Sequence, residues 1–188
     1  MTKAAPHFIS DDDLLKRASS GDKDAYGMLY ERYLVPVYRF CYFRVGNELD
    51  AEDLTEMIFL KAWENLPKKQ VQSFRAWLYR IAHNQVVDYF RTRKNADSME
   101  PLEMMADGHS HPEQLLENRE DGRVLAQAIA RLDEQDQDVL VCRFISQLSH
   151  AETAEVLGVS EGHVRVLQFR ALKKLQALLG RGGKNNDE

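Results

Sequence analysis

The sequence predicts an all-α protein: two small helical domains, a helical bundle and then a helix-turn-helix, joined by a flexible acidic linker. Three observations predict this. Apolar residues recur at helical spacing through most of the chain, and strand-like alternation is almost absent. Helix-capping residues stand ahead of nearly every apolar-periodic stretch. Residues 95–120 break the pattern, with Pro101, Gly108 and Pro112 among acids and no sustained apolar period.

The elements follow in order. Ser10 before Asp11, Asp12 and Asp13 reads as an N-cap with acids in the first turn, where the helix dipole favours them. That short helix, Leu14 to Ala18, ends near Ser20-Gly21. Asp22 caps a second helix, from Ala25 through Leu29, Tyr33, Val37 and Phe40 to about Val45. Pro36 inside it predicts a kink or break, and Gly46-Asn47 a stop. Residues 50–65 form a third helix, with Leu54, Ile58 and Ala62 on one face and Asp53, Glu56 and Glu64 towards another. Leu66-Pro67 ends it, and Ser73 caps a fourth from Phe74 to about Arg93. Beyond the linker, Val124 to Leu132 is amphipathic, and Asp133 caps a helix through Val139, Leu140, Phe144 and Ile145. Ser149 caps another over Ala151 to Leu157, and Ser160 a long last helix to about Leu179.

With 44% hydrophobic and 29% charged residues, the 188-residue chain is neither disordered nor membrane-embedded by composition. No apolar run approaches the ~18 residues of a membrane span, so no membrane insertion is expected. The segment MTKAAPHFISDDD lacks the apolar stretch of a secretory signal, which predicts a cytoplasmic location. Cys41 and Cys142 lie within apolar helical patterns and read as buried free thiols. Neither a cofactor nor a metal is expected, and His109 and His111 in the linker read as solvated.

The net charge of −5 is strongly segregated. Residues 67–95 carry 7 basic side chains against 1 acidic, and residues 160–184 carry 6 against 1. Between them, residues 96–122 carry 1 against 8, and ahead of them residues 10–66 carry 7 against 12. Two basic blocks thus flank an anionic stretch in an acidic protein, creating local fields that the overall charge conceals.

The C-terminal block has the more specific pattern. In SHAETAEVLGVSEGHVRVL (149–167), small Ala154 lets two helices approach, Gly158 makes the turn, and Val159 and Val164 pack the pair. Ser160 aims the following helix, whose first residues Glu161, Gly162, His163 and Arg165 are placed to reach base edges in a major groove. Arg170, Lys173 and Lys174 suit phosphate contacts, which position without specifying sequence. The plainer alternative is a helical hairpin with a solvated basic face.

In the other block, FRAWLYRIAHNQVVDYFRTRKN (74–95) interleaves aromatics with arginines, a mixture suited to partly single-stranded DNA. Trp77, Arg80, Asn84, Asp88 and Arg91 share one helical face. Leu78, Ile81, Phe74 and Tyr89 read as core. Ahead of this block, Asp50, Glu52, Asp53 and Glu56 cluster beside Met57 and Phe59, which are expected to be exposed. The cluster reads better as a docking face for a basic partner than as a divalent-cation site.

Together these residues resemble a bacterial RNA polymerase sigma factor of the sigma-70 family, in the extracytoplasmic-function (ECF) group. DAEDLTEMIFLKAW (50–63) is similar to the family's core-binding helix, FRAWLYRIAHNQVVDYFRTRK (74–94) to its promoter-melting helix, and LSHAETAEVLGVSEGHVRVLQFRALKKL (148–175) to its −35-reading helix-turn-helix. The resemblance implies a region 2 domain at 10–95, an acidic linker at 96–121, a region 4 domain at 122–180 and a disordered tail at 181–188. It implies no catalytic residues. Its partners are core RNA polymerase, promoter DNA and an anti-sigma factor.

By position, Asp50, Glu52, Asp53, Glu56 and Phe59 are implied to dock on the polymerase clamp helices. Lys68, Lys69, Ser73, Trp77, Arg80, Asn84, Asp88 and Arg91 are implied to serve the −10 element, with the loop Pro67–Ser73 receiving a flipped base. Ser160, Glu161, His163, Arg165, Phe169, Arg170 and Lys173 are implied to serve the −35 element. The sequence departs from the family pattern at Glu56-Met57, where Gln-Glu is common, at Leu167 and Leu172, where basic residues are common, and at Phe169, where His is common. The alternatives are a free-standing helix-turn-helix regulator with an N-terminal sensor domain, and an acid-rich metalloenzyme using Asp50, Glu52 and Asp53.

Overall fold

The computed structural model describes residues 9–66, 71–97 and 119–182, and no strand occurs among them. The elements are α1 (Asp11–Ser19), α2 (Lys23–Val45), α3 (Glu48–Asn65), α4 (Phe74–Asp97), α5 (Arg119–Ala130), α6 (Glu134–Leu140), a π turn (Val141–Ile145), α7 (His150–Leu157) and α8 (Glu161–Gly182). Much of the acidic linker, with His109 and His111, lies outside the described residues, as do Lys68, Lys69 and the tail from 183.

The predicted caps act locally as their chemistry dictates. Ser10 accepts from the Asp13 N–H, Asp22 from Ala25 and Ser73 from Ala76. Gly46 ends α2 in the left-handed region at φ 70°, donating its N–H to the Tyr42 carbonyl. Asn47 stops α2 and also caps α3, accepting from Asp50 at 3.0 Å, so α3 begins two residues before the expected Asp50. Ser149 and Glu152 form a reciprocal capping box on α7.

The structure excludes a break at Pro36 and corrects one further expectation. The helix containing Pro36 runs unbroken from Lys23 to Val45. Proline removes one backbone donor, but Tyr33, Val37 and Phe40 on either side are buried, and their packing holds the helix through the gap. The single helix expected from Asp133 to Ile145 instead widens into the π turn, closed by the Ser146 N–H on the Val141 carbonyl. Asp133 has N-cap backbone geometry but makes no side-chain cap, because its carboxylate holds Lys174 Nζ at 2.5 Å.

The larger core gathers α1 to α4 around α2, with Phe40 and Tyr79 meeting edge-on at 5.6 Å. It also takes in Ala126, Ile129, Val141, Cys142, Leu148 and Val156 from beyond the linker. A second core is built only from C-terminal residues: Leu132, Val139, Leu140, Ala154, Val164, Leu167 and Ala171. The two modules are therefore packed on one another, and this modifies the picture of two units connected only by a tether. Both cysteines are buried; burial pushes the Cys41 thiol up to about 12 and raises that of Cys142 as well.

Within the C-terminal module, Asp136 is fully buried and gathers two cations from α8. Arg170 donates through Nε and Nη2 at 3.1 and 2.9 Å to one carboxylate oxygen, and Lys174 Nζ lies 2.6 Å from the other. Arg170 and Lys174 are themselves nearly half exposed, so water replaces part of any contact they lose. Asp136→Asn is expected to destabilise the chain by about 1.5–2 kcal/mol, the lower part of the range for charged hydrogen bonds. A lowered urea midpoint at unchanged slope checks this.

Candidate nucleic-acid interface

Three surfaces carry the residues singled out above, and the structure treats them differently. The first is α4. Trp77, Arg80 and Asn84, spaced three and four residues apart, line one cavity of about 340 Å³ together with Ile81. The cavity offers an aromatic face, a guanidinium and a carboxamide together, the combination that stacks a base, neutralises its phosphate and reads its edge. Farther along, Asp88 and Arg91 are solvent-exposed and paired at 2.9 Å. Ser73 caps the helix that presents these groups.

The second surface is α8. Ser160 Oγ accepts the His163 N–H at 3.2 Å, which orients the first turn. Glu161, His163 and Arg165 are exposed there, with Arg165 held loosely by Glu161 at 3.4 Å. Phe169 is exposed and carries Lys173 Nζ 4.7 Å above its ring. Arg170 is engaged by Asp136, so the cation expected on the DNA face ties α8 to α6. Lys174 shares that role, and the two carboxylates raise its pKa while it lowers that of Asp133. Sequence reasoning missed Asp136 because an acid early in a helix reads first as a dipole partner.

The third surface is α3, with one correction. Phe59 is 3% exposed, not an exposed docking residue. Its ring meets Tyr30 at 4.7 Å and its carbonyl accepts from Tyr26 Oη. Met57, at 46%, is exposed as expected, and Leu49 and Leu60 join it. Asp53 and Glu56 are exposed beside them. Partial burial, then the charges of Glu48, Asp53 and Glu56, raise the pKa of Glu52. Asp50 is engaged within the chain, accepting from Tyr89 Oη at 2.7 Å with Arg93 at 3.4 Å, and so joins α3 to α4. No cluster of metal-ligating side chains occurs among the described residues. No helix among them is long and apolar enough to cross a membrane.

An aromatic-basic cleft on one helical module and a capped helix-turn-helix on the other place the chain among two-module helix-turn-helix proteins. Comparison with known proteins narrows this. The model for Sigma-70 region 2 matches residues 29–96, and that for Sigma-70 region 4 matches residues 128–177. The ECF RNA polymerase sigma factor SigW of Bacillus subtilis is 30% identical over 177 residues, covering 88% of this chain and 94% of that protein. CnrH of Cupriavidus metallidurans is 32% identical over 176 residues, covering 88% and 92%. BldN of Streptomyces coelicolor is 39% identical over 172 residues, and the match spans 65% of its length. The solved structure of CnrH in complex with the cytosolic domain of CnrY superposes with a TM-score of 0.73 at 30% identity, covering 91% of this chain and 97% of that one. RpoE of Bartonella quintana, at 22% identity and a TM-score of 0.64, shares the fold. The chain belongs to the sigma-70 family of RNA polymerase sigma factors, in its ECF group.

The contrast between Phe59 and Met57 is measurable. Phe59→Ala empties a buried site and is expected to cost about 3–5 kcal/mol. Met57→Ala changes an exposed side chain and is expected to leave stability within about 0.5 kcal/mol. Thermal melts of the two variants check both values.

Proposed function

We propose that this chain joins core RNA polymerase and directs promoter-specific initiation, with no catalytic residues of its own, in the cytoplasm. The observation that carries the reading is the order of two family matches within one chain, region 2 before region 4. A free-standing regulator has no use for the first.

In this reading the domains span 10–95 and 122–180, with 96–121 as the linker. The exposed strip Asp53, Glu56, Met57 and Leu60 docks on a basic-and-apolar partner surface of the polymerase, Glu52 contributing field from its edge. Asp50 organises that strip through Tyr89 and Arg93. Trp77, Arg80 and Asn84 hold a base unstacked from the −10 element; unstacking costs a few kcal/mol, which stacking on Trp77 offsets. Lys68, Lys69, Ser73, Asp88 and Arg91 flank that cleft in sequence. Glu161, His163 and Arg165 face the −35 bases, with Ser160 setting their helix, Phe169 offering an apolar contact and Lys173 a phosphate contact. Arg170 reaches DNA only with the charge that Asp136 leaves it. An anti-sigma factor is the further partner that family membership implies.

Run-off transcription with core polymerase tests the reading; absence of any promoter-specific transcript from a cognate template rejects it. Reversing both exposed acids (Asp53→Lys with Glu56→Lys) is expected to weaken core binding at least about tenfold, or 1.4 kcal/mol, with the melting temperature little changed. Trp77→Ala is expected to reduce strand opening, read by permanganate reactivity of unpaired thymines, while −35 duplex binding persists.

A further inference from the structure

The two most exposed large apolar side chains among the described residues stand on α8, the helix that meets DNA in the sigma-factor reading. Val166 is 62% exposed and Phe169 64%. At about 100° per residue they share the outermost stripe of α8 with Gly162 and Lys173, all four within about 60° of arc. Buried Val164, Leu167 and Ala171 lie on the opposite side. Arg165 flanks the stripe on one side, and His163 and Arg170 flank it on the other. The line that enters a groove deepest is thus apolar, and the polar readers stand beside it.

Packing within the chain does not account for this stripe. The C-terminal core takes Val164, Leu167 and Ala171 from α8, with Leu175 and Leu178 packed against it, and neither Val166 nor Phe169 joins them. Gly162 is not a packing glycine either. A Cβ there would meet nothing closer than Ser160 Oγ at 4.0 Å, so a helix-favouring alanine fits. Glycine at this position instead lets the first turn of α8 bring its backbone close to an opposing surface. Lys173 Nζ, 4.7 Å from the centre of the Phe169 ring, occupies one ring face and limits how the ring can turn.

The charges around the stripe identify what covers it. On α3, exposed Met57 and Leu60 stand beside Asp53 and Glu56 and suit a basic partner. On α8, Val166 and Phe169 stand among Arg165, His163 and Lys173, with Glu161 the only acid of that helix, and suit an anionic one. Duplex DNA is such a partner, and one feature of its major groove is apolar. Thymine presents a C5-methyl group there, whereas the other bases are read through donors and acceptors. Packed on that methyl, Val166 and Phe169 remove apolar surface from water. Against a guanine or cytosine edge they strip water from polar groups and return no hydrogen bond. The stripe therefore favours thymine and disfavours a G·C pair.

We propose that Val166 and Phe169 read the C5-methyl group of thymine in the −35 element, so that apolar contact sets part of this chain's promoter preference. The proposal rests on the sigma-factor reading. Gly162 sets the depth of approach, and Lys173 at the far end of the stripe fixes register on the phosphates.

Core polymerase loaded with the full chain selects promoters from a template pool randomised over the −10 and −35 regions, with run-off transcription as the readout. The selected −35 sequences are expected to hold thymine, on either strand, at one or more positions. Deoxyuridine then replaces each of these thymines in turn, which removes only the methyl group. At one position at least, transcription at limiting holoenzyme is expected to fall roughly three- to fivefold, the effect of one buried methyl. Val166→Ser with Phe169→Ser is expected to bring this thymine-to-uracil ratio to about one, and each single variant to lower it. Both side chains are exposed, so thermal melts of the variants are expected to match the unsubstituted chain. Lys173→Gln is expected to weaken all templates alike and leave the ratio unchanged. If uracil replaces thymine without loss at every −35 position, the proposal is refuted. It is refuted equally if the ratio survives in the single and double serine variants. A chain that sediments as a dimer which the serine variants dissolve, with no uracil effect, assigns the stripe to a second copy instead. If the unsubstituted chain yields no promoter-specific transcript from any template, the functional reading fails, and thymine reading with it.

Discussion

The constraint on which the architecture depends is the all-round burial of the second half of α2. From Val37 to Arg44, every residue except Arg39 is buried. A helix with no polar stripe must be covered on every side. Helices α1, α3 and α4 cover part of this surface, and α5 with the π turn covers more. The covering is apolar except where Arg44 emerges, and there the C-terminal module supplies Asp138 and Gln137. The same helix thus organises the first module and supplies the seat for the second.

The two buried acids of α6 show how one short helix serves both purposes. Asp136 and Asp138 are two residues apart, hence about 200° apart around the axis. Asp136 faces α8 and binds Arg170 and Lys174; Asp138 faces α2 and α4 and meets Arg44 and His83. One carboxylate holds the helix-turn-helix together and the other attaches it to region 2. Moving either acid by one position would turn it away from its cations.

Much of this was legible in the sequence, and what was not has identifiable physical causes. Caps at Ser10, Asp22, Ser73, Ser149 and Ser160 could be read because they depend on a few adjacent residues. The helix-turn-helix was legible for the same reason, with Gly158 in the left-handed region at φ 67° as its turn demands. Phe59 was misread although the pattern contained the answer. Ala51, Leu54, Thr55, Ile58 and Ala62 mark the buried face of α3, and Phe59 lies four residues after Thr55, on its edge. Proximity to acids in sequence carried more weight than position around the helix. The closure of the modules was harder to see, because linker composition reports that a tether is loose and says nothing of whether the tethered bodies associate. The available signal was α2 itself: an apolar run from Val37 to Phe43, interrupted by Arg39, that finishes on a charge must find both a cover and a counter-ion.

The distribution of cations sets how the molecule meets DNA. Of the described basic side chains on α8, Arg170 and Lys174 answer to Asp136, and Arg165 leans on Glu161, which leaves Lys173 as the one among them facing an aromatic ring instead of a carboxylate. A module neutralising so few phosphates releases few counterions, so its affinity for duplex is low and its salt dependence shallow. Weak contacts at two sites become strong only when one chain presents both at the right separation, since the second contact then forms at high effective concentration. A scaffold that fixes the separation of the modules therefore adds more affinity for promoter DNA than any further cation on either one. It also confines that affinity to DNA whose two elements have the matching spacing.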